Sequence, residues 1–240
     1  MYVNFTIFAG FSYILMGKNK LARFTENKIL PNVIQPTREE ALQGFELKGK
    51  WRTDFFKNDH PIVLELGCGK GEYSVGLAKT FPEKNFIGID IKGARFWFGA
   101  KEAVENNMTN VAFLRSQIEL VDHFFAENEV DEIWITFPDP QIKYRRTKHR
   151  LTHPDFLERY KKFLKPGGII HLKTDSEFLH GYTLGYLQGA GYEIISAHHD
   201  IYGAPEYDPD TEHLRDIKTY YEELFSAKGK TITYIKFRIS

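Results

Sequence analysis

Two runs decide what this chain can fold into: Pro61–Leu66 (PIVLEL) and Glu132–Phe137 (EIWITF), the latter within a strand read over Val130–Phe137. Both are too apolar for a sheet with one wet face, so each reads as a strand buried on both sides. Strand-like and helix-like stretches then take turns. Asn85–Asp90, Val111–Arg115, Ile169–Lys173 and Tyr192–His198 read as further strands, and Thr231–Phe237 as a last one of alternating type. Helices are expected from the end of a glycine-rich loop to Lys79, over Ile91–Asn106 and Ile118–Glu127, and from Thr152 as N-cap to Leu164. Two more are expected over Phe178–Gln188 and Thr219–Ala227. Lys165–Gly168 (KPGG) reads as a stop and turn. Strands alternating with helices of this length imply an α/β fold: a mainly parallel seven-stranded sheet with helices on both faces.

No repeat or low-complexity linker divides the chain, so residues 59–240 are taken as one domain. An arm over residues 16–58 precedes it, broken by Pro31, Pro36, Gly44 and Gly49. A helix is expected near Lys18–Leu30 and irregular chain from there to Asn58. Met1–Leu15 is apolar but shorter than the roughly twenty residues a bilayer span needs, and it lacks the basic start of a signal peptide. It is read as an upstream extension ahead of Met16, and no membrane association is expected. A single cysteine, Cys68, rules out an internal disulfide and suits a reducing, cytoplasmic setting. The nine histidines have no cysteine companions, and Pro154 interrupts any helix joining His149 to His153, so no metal site is expected.

Chemistry is concentrated in three places. Glu65-Leu-Gly-Cys-Gly-Lys-Gly71 follows the first apolar strand, and Gly67, Gly69 and Gly71 allow a sharp turn and close backbone approach to a ligand. The spacing G-x-G-x-G differs from the dinucleotide pattern, and Glu65 would repel a pyrophosphate while welcoming a cation. The second place is the row of neighbouring strand ends: Asp90 ends the second strand, where a carboxylate can accept both hydroxyls of a ribose. Ser116 and Gln117 follow the third strand, where Gln117 offers an acceptor and a donor to an adenine edge. This set suits a nucleoside with a positive centre, a description that S-adenosylmethionine meets. The third place is FPDPQIKYRRTKHR (residues 137–150), with Asp139 between two prolines and then Lys143, Arg145, Arg146, Lys148, His149 and Arg150. A carboxylate at a strand end beside such a loop points to chemistry on a polyanion. Lysine and arginine total 32, as do aspartate and glutamate, so the local cluster and not net charge carries that reading. Phe137 and Trp134 are candidates to line a base pocket, although Trp134, in mid-strand, suits the core.

ELGCGKG, GIDIKG and LKPGG resemble the class I S-adenosylmethionine-dependent methyltransferases, whose fold is Rossmann-like. FPDPQIKYRRTKHR, LKTD (Leu172–Asp175) and TYYEELFSAKG (Thr219–Gly229) resemble the tRNA (guanine-N7-)-methyltransferase family, from about Lys18 onward. The resemblance implies that Glu65, Asp90 and Gln117 contact S-adenosylmethionine and that Asp139 is the aspartate of the active centre. It also implies that Lys143 and Asp175, with Thr219, Tyr220, Tyr221 and Glu222, contact the tRNA substrate. The chain departs from the family pattern at Gln141 (often Trp), Arg146 (His), His149 (Arg), Asp90 (Glu) and Gln117 (Asp).

The expected reaction is methylation of a variable-loop guanosine of tRNA at N7, by a monomer. Guanine N7 carries an exposed lone pair, so no strong base is needed, and placement of the reactants can supply most of the catalysis. Lys143 to Arg150 would hold RNA phosphates. The alternatives are a methyltransferase on another RNA or on a small molecule, an inactive RNA-binding scaffold, and, last, an NAD oxidoreductase.

Overall fold

A computed structural model of the protein describes residues 19–203 and 214–239. Alternate residues of each interior strand enter opposite cores. In β2 (Ile62–Leu66), Ile62, Leu64 and Leu66 join one cluster and Val63 the other. In β3 (Asn85–Ile89), Phe86 faces opposite to Ile87 and Ile89, and in β4 (Val111–Leu114), Val111 and Phe113 face opposite to Ala112 and Leu114. β5 (Val130–Thr136) sends Ile133 and Ile135 one way and Trp134 the other. This two-sided burial is why the sequence runs are continuously apolar.

Helices α3 (Glu72–Thr80) and α4 (Gly93–Glu105) cover one face through Val75, Leu77, Phe96 and Ala100. The other face is covered by α2 (Arg38–Gln43), α5 (Pro154–Tyr160) and α6 (Glu177–Ala190), through Ala41, Phe156, Leu157, Leu179 and Leu187. Further elements are α1 (residues 19–26), β1 (Val33–Ile34), β6 (Leu164–Thr174), β7 (Glu193–His198), α7 (Tyr220–Ser226) and β8 (Thr233–Arg238). The sheet order is β1-β4-β3-β2-β5-β6-β8-β7, parallel except for β8, which runs antiparallel to both neighbours. The chain leaves β2 in one direction across the sheet and resumes at β5 in the other, so a crevice opens at the carboxyl ends of β2 and β5.

Among the described residues eight strands are present where the sequence suggests seven. The eighth, β1, comes from the arm and pairs with β4 through Val33–Phe113 and Ile34–Leu114; two residues carry no readable periodicity. The arm is fastened along its length. Asn27 and Asn32 donate to the Gly93 and Ala100 carbonyls (2.9 and 3.0 Å). Thr37 and Glu40 form a capping box at α2, and Trp51 is fully buried against Phe125.

Three local expectations are corrected. The helix read over 118–127 is a short 3-10 turn, Ile118–His123. The cap of α5 is His153, with Pro154 at the first helical positions, while Thr152 is buried and its hydroxyl pairs with Thr183 (2.8 Å). Lys165–Gly168 does not end a helix before a separate strand. It forms an irregularity inside β6, where pairing with β5 jumps from Leu164 to Ile169. The expected extension Met1–Leu15 lies outside the described residues.

Candidate active site

The penultimate residue of strand β2 is charged and points into the structure. Glu65 is buried, and both carboxyl oxygens are held: Oε2 accepts from the Ser74 backbone N–H (2.9 Å) and hydroxyl, and Oε1 from the Thr136 hydroxyl (2.6 Å). Thr136 ends β5, so this last bond spans the point where the chain reverses direction across the sheet. Ser74 lies in the first turn of α3, and Glu65 therefore also satisfies an N–H that no helical carbonyl could reach. Burial pushes its carboxyl up to about 7, against the bonds from Ser74 and Thr136 that pull it down, with nearby Asp90 adding to the rise.

The glycine loop follows. Gly67, Gly69 and Gly71 have φ of 79°, 57° and 79°, in the left-handed region where a side chain is strained. At Gly71 a Cβ would also stand 2.5 Å from the Phe113 ring, so this glycine serves the approach of loop to strand. The loop is tied to β3 by Gly67 N–H to Ile89 O (2.8 Å) and by Gly69 N–H to Asp90 Oδ2 (3.0 Å). Asp90 Oδ1 accepts from Lys92 N–H (2.8 Å). An ionised carboxylate has about four acceptor positions, so Asp90 retains capacity toward the crevice.

At the end of β5, Phe137 adopts φ 46° and Gln141 φ 47°, unusual for residues with side chains. Between them Asp139 is exposed and accepts from Gln141 N–H (3.0 Å), closing a tight turn. Arg150 secures this turn. Its guanidinium donates to the Pro140 carbonyl (3.3 Å) and the Gln141 carbonyl (3.1 Å) and lies over the rings of Phe178 and Tyr182.

These parts surround one space. A cavity of about 440 Å³ is lined by Glu65, Gly67, Gly69, Asp90, Asp139, Asp175, Thr219 and Tyr221, together with Thr136 and Phe137. A second, of about 470 Å³, shares Gly67, Asp90, Phe137 and Asp139 and adds Ser116, Gln117 and His149. Gln117 is exposed there, and its side-chain oxygen accepts from Arg38 (3.3 Å). The first cavity is lined by five carboxyl groups (Glu65, Glu72, Asp90, Asp139, Asp175) against three bases (Lys70, Arg95, Lys230), a balance suited to a cationic ligand.

The residues read as substrate contacts divide into two groups. Lys143, Arg145, Arg146 and Lys148 are exposed, and the first three border a hollow of about 400 Å³ with Asp139. Tyr220 and Tyr221 are exposed, and Tyr220 N–H donates to Glu72 (3.0 Å) while Lys70 lies over its ring. Asp175 lines the cavity and pairs with Lys230 (2.7 Å). Three expectations change. Arg150 is buried and so is not presented to phosphate. Thr219 is buried and caps α7 through the Glu222 N–H (3.2 Å). Glu222 is fully buried and pairs with Lys173 at 2.9 Å, also accepting from the Tyr202 hydroxyl (2.8 Å). Trp134 belongs to the core, stacked 3.9 Å from His171, whereas Phe137 does line the cavity.

Reading the sequence did not single out Lys173, whose ammonium also donates to the Leu214 and Ile217 carbonyls (2.5 and 3.2 Å). Burial draws its pKa down, opposed by Glu222. The available signal was a lysine inside an otherwise apolar strand, GGIIHLKT. Ser74, Thr136 and Arg95 were missed too, since a hydroxyl or guanidinium outside a motif has no sequence mark. Two of the departures from the resembled family answer each other: Arg146 Nε donates to Gln141 Oε1 (3.1 Å).

Residues 59–235 match a protein family described as "Putative methyltransferase". A tRNA (guanine-N(7)-)-methyltransferase of Christiangramia forsetii is 67% identical, with 93% of this chain and 99% of that protein aligned. Proteins of the same name are 58% identical in Porphyromonas gingivalis (83% and 80% aligned) and 51% identical in Bacteroides thetaiotaomicron (93% and 87%). Among solved structures, an antibiotic-related methyltransferase superposes with a TM-score of 0.58 at 17% identity, covering 82% of this chain and 96% of that one. The 16S rRNA methyltransferase KamB gives 0.58 at 13%, covering 80% and 92%. These structural likenesses establish the Rossmann-like methyltransferase fold.

Proposed function

The chain belongs to the tRNA (guanine-N7-)-methyltransferase family, and from that membership we propose that it methylates N7 of a guanosine in the variable loop of tRNA. The observation carrying this reading is the convergence of Glu65, Asp90, Asp139, Asp175, Thr219 and Tyr221 on one crevice bordered by an exposed cationic loop.

The residues present fit S-adenosylmethionine as methyl donor. The crevice is rich in carboxylates, Gly67 and Gly69 present no side chain to it, and Asp90 keeps acceptor capacity for ribose hydroxyls. Glu65 would face the positive end of the donor and Gln117 the adenine edge. When bound, the donor supplies the electrophilic methyl group.

Guanine N7 carries a lone pair and no proton, so the protein has no proton to remove there. Its task is to hold the base in line. Asp139 accepts from N–H groups at the edge of the guanine, and its charge offsets the positive charge that N7 methylation places on the ring. Lys143, Arg145, Arg146 and Lys148 hold backbone phosphates, and Asp175 and Tyr221 contact the substrate from the crevice wall. Glu222 and Arg150 act from beneath, as positioning residues, and Thr219 caps α7 at the crevice wall. A tRNA substrate calls for a cytoplasmic site of action, and among the described residues no helix is long and apolar enough to cross a membrane.

The test is transfer of label from methyl-labelled S-adenosylmethionine to bulk tRNA from cells lacking the modification. Incorporation into that tRNA, and none into tRNA already modified, is expected. Cofactor binding without any transfer would contradict the proposal.

A further inference from the structure

The cationic loop after Asp139 carries two side chains that its charge does not explain. Ile142 is 67% exposed and Tyr144 is 93% exposed. Holding a phosphate requires neither. The backbone beneath them is ordered by local bonds: the Tyr144 carbonyl accepts from the Thr147 hydroxyl (2.7 Å), and the Lys143 carbonyl accepts from Arg146 N–H (2.8 Å). The phenol ring therefore stands out from a fixed turn, among exposed Lys143, Arg145, Arg146 and Lys148.

Ile142 stands at a boundary. It lines the cavity that holds Asp139, and it also lines the adjoining hollow with Lys143, Arg145 and Arg146. An apolar side chain thus separates the space for the reacting base from the space for the backbone that delivers it.

An exposed aromatic among cations fits a ligand offering both negative charge and flat apolar faces. Single-stranded nucleic acid offers both, and aromatic stacking on unpaired bases is tolerant of their identity. A base drawn out of its stack also leaves neighbours that an apolar wedge can cover.

We propose that Tyr144 and Ile142 form a base-stacking platform for the nucleotides flanking the target guanosine. Tyr144 stacks on an unpaired neighbour, and Ile142 fills the gap left when the guanine enters the crevice. This rests on the tRNA reading above and adds to it a contact that recognises base faces and not phosphate.

The test measures binding of unmodified tRNA in the absence of methyl donor, so that affinity does not depend on turnover. Tyr144→Ala should weaken binding by about tenfold, within the range for one stacked base, and Ile142→Ala should weaken it less. Tyr144→Phe should bind like wild type. Because no charge is removed, the salt dependence of Tyr144→Ala should match wild type, whereas Lys143→Ala should lower the slope by about one unit. A 2-aminopurine base beside the target should be quenched on binding wild type and Tyr144→Phe and stay bright with Tyr144→Ala. Unchanged affinity and quenching in Tyr144→Ala would overturn the platform, as would equal losses in Tyr144→Phe and Tyr144→Ala. Should wild type bind and quench in this way yet never methylate tRNA, the platform stands and the proposed function falls.

Discussion

Glu65 carries a carboxyl that burial raises to about 7, beside a crevice whose ligand is cationic. A positive ligand favours the carboxylate, so binding below that pH must expel a proton. Affinity for S-adenosylmethionine should therefore be highest above pH 7 and fall toward acid, approaching about tenfold per pH unit well below it. Glu65→Gln should flatten that dependence. Calorimetric titration from pH 5.5 to 8.5 checks this, and affinity that rises on acidification would contradict it. Asp139 is the complementary case, an exposed carboxylate engaged by Gln141 N–H. Asp139→Asn keeps an acceptor for that bond and removes the charge, so kcat should fall by about 100-fold, the scale of one lost electrostatic contact. Cofactor affinity should stay within about threefold, as a one-charge loss in a solvent-facing site allows. Equal kcat in wild type and Asp139→Asn would remove Asp139 from the chemistry. Both residues were legible as acids ending strands. Their difference in burial was not, because residue type does not state which neighbours exclude water.

Elements meet at the carboxyl end of β6, where Lys173 binds Glu222 of α7 and the carbonyls of the segment before it. With both charges fully buried, removing one leaves the other unpaired. Lys173→Met should destabilise the fold by about 3–5 kcal/mol, while Lys173→Met combined with Glu222→Met should recover part of that loss. Urea unfolding reads both variants; a double variant as unstable as the sum of the single ones would show that the two charges do not act as a pair. This clip holds α7, and hence Tyr220 and Tyr221, against the crevice. In sequence TYYEELF read as a substrate element, and its Glu as a contact. The structure assigns that Glu to the element's foundation. Arg150 shows the same limit: within KYRRTKHR it looks like its neighbours, yet it folds under the turn that presents Asp139. Charge patterning reports how many cations a loop has, and tertiary contacts decide which of them face out.

At the scale of the molecule, the strands that build the crevice were readable because burial on both faces leaves continuous apolar runs. The glycine loop was readable because positive φ demands glycine. The strand at the sheet edge, β1, was not, since it contributes two residues whose placement depends on β4 and on Asn27 and Asn32 gripping α4. The whole arrangement serves one claim: the crevice between β2 and β5 directs a methyl group to one nitrogen of guanine in tRNA. The most direct measurement is borohydride–aniline cleavage of tRNA after incubation with the protein and S-adenosylmethionine, which breaks the chain at N7-methylguanosine. A single cleavage in the variable loop, appearing far more slowly with Asp139→Asn and absent when that guanosine is replaced by adenosine, is the predicted result. Methylated tRNA that resists cleavage, or that cleaves at guanosines outside the variable loop, would contradict it.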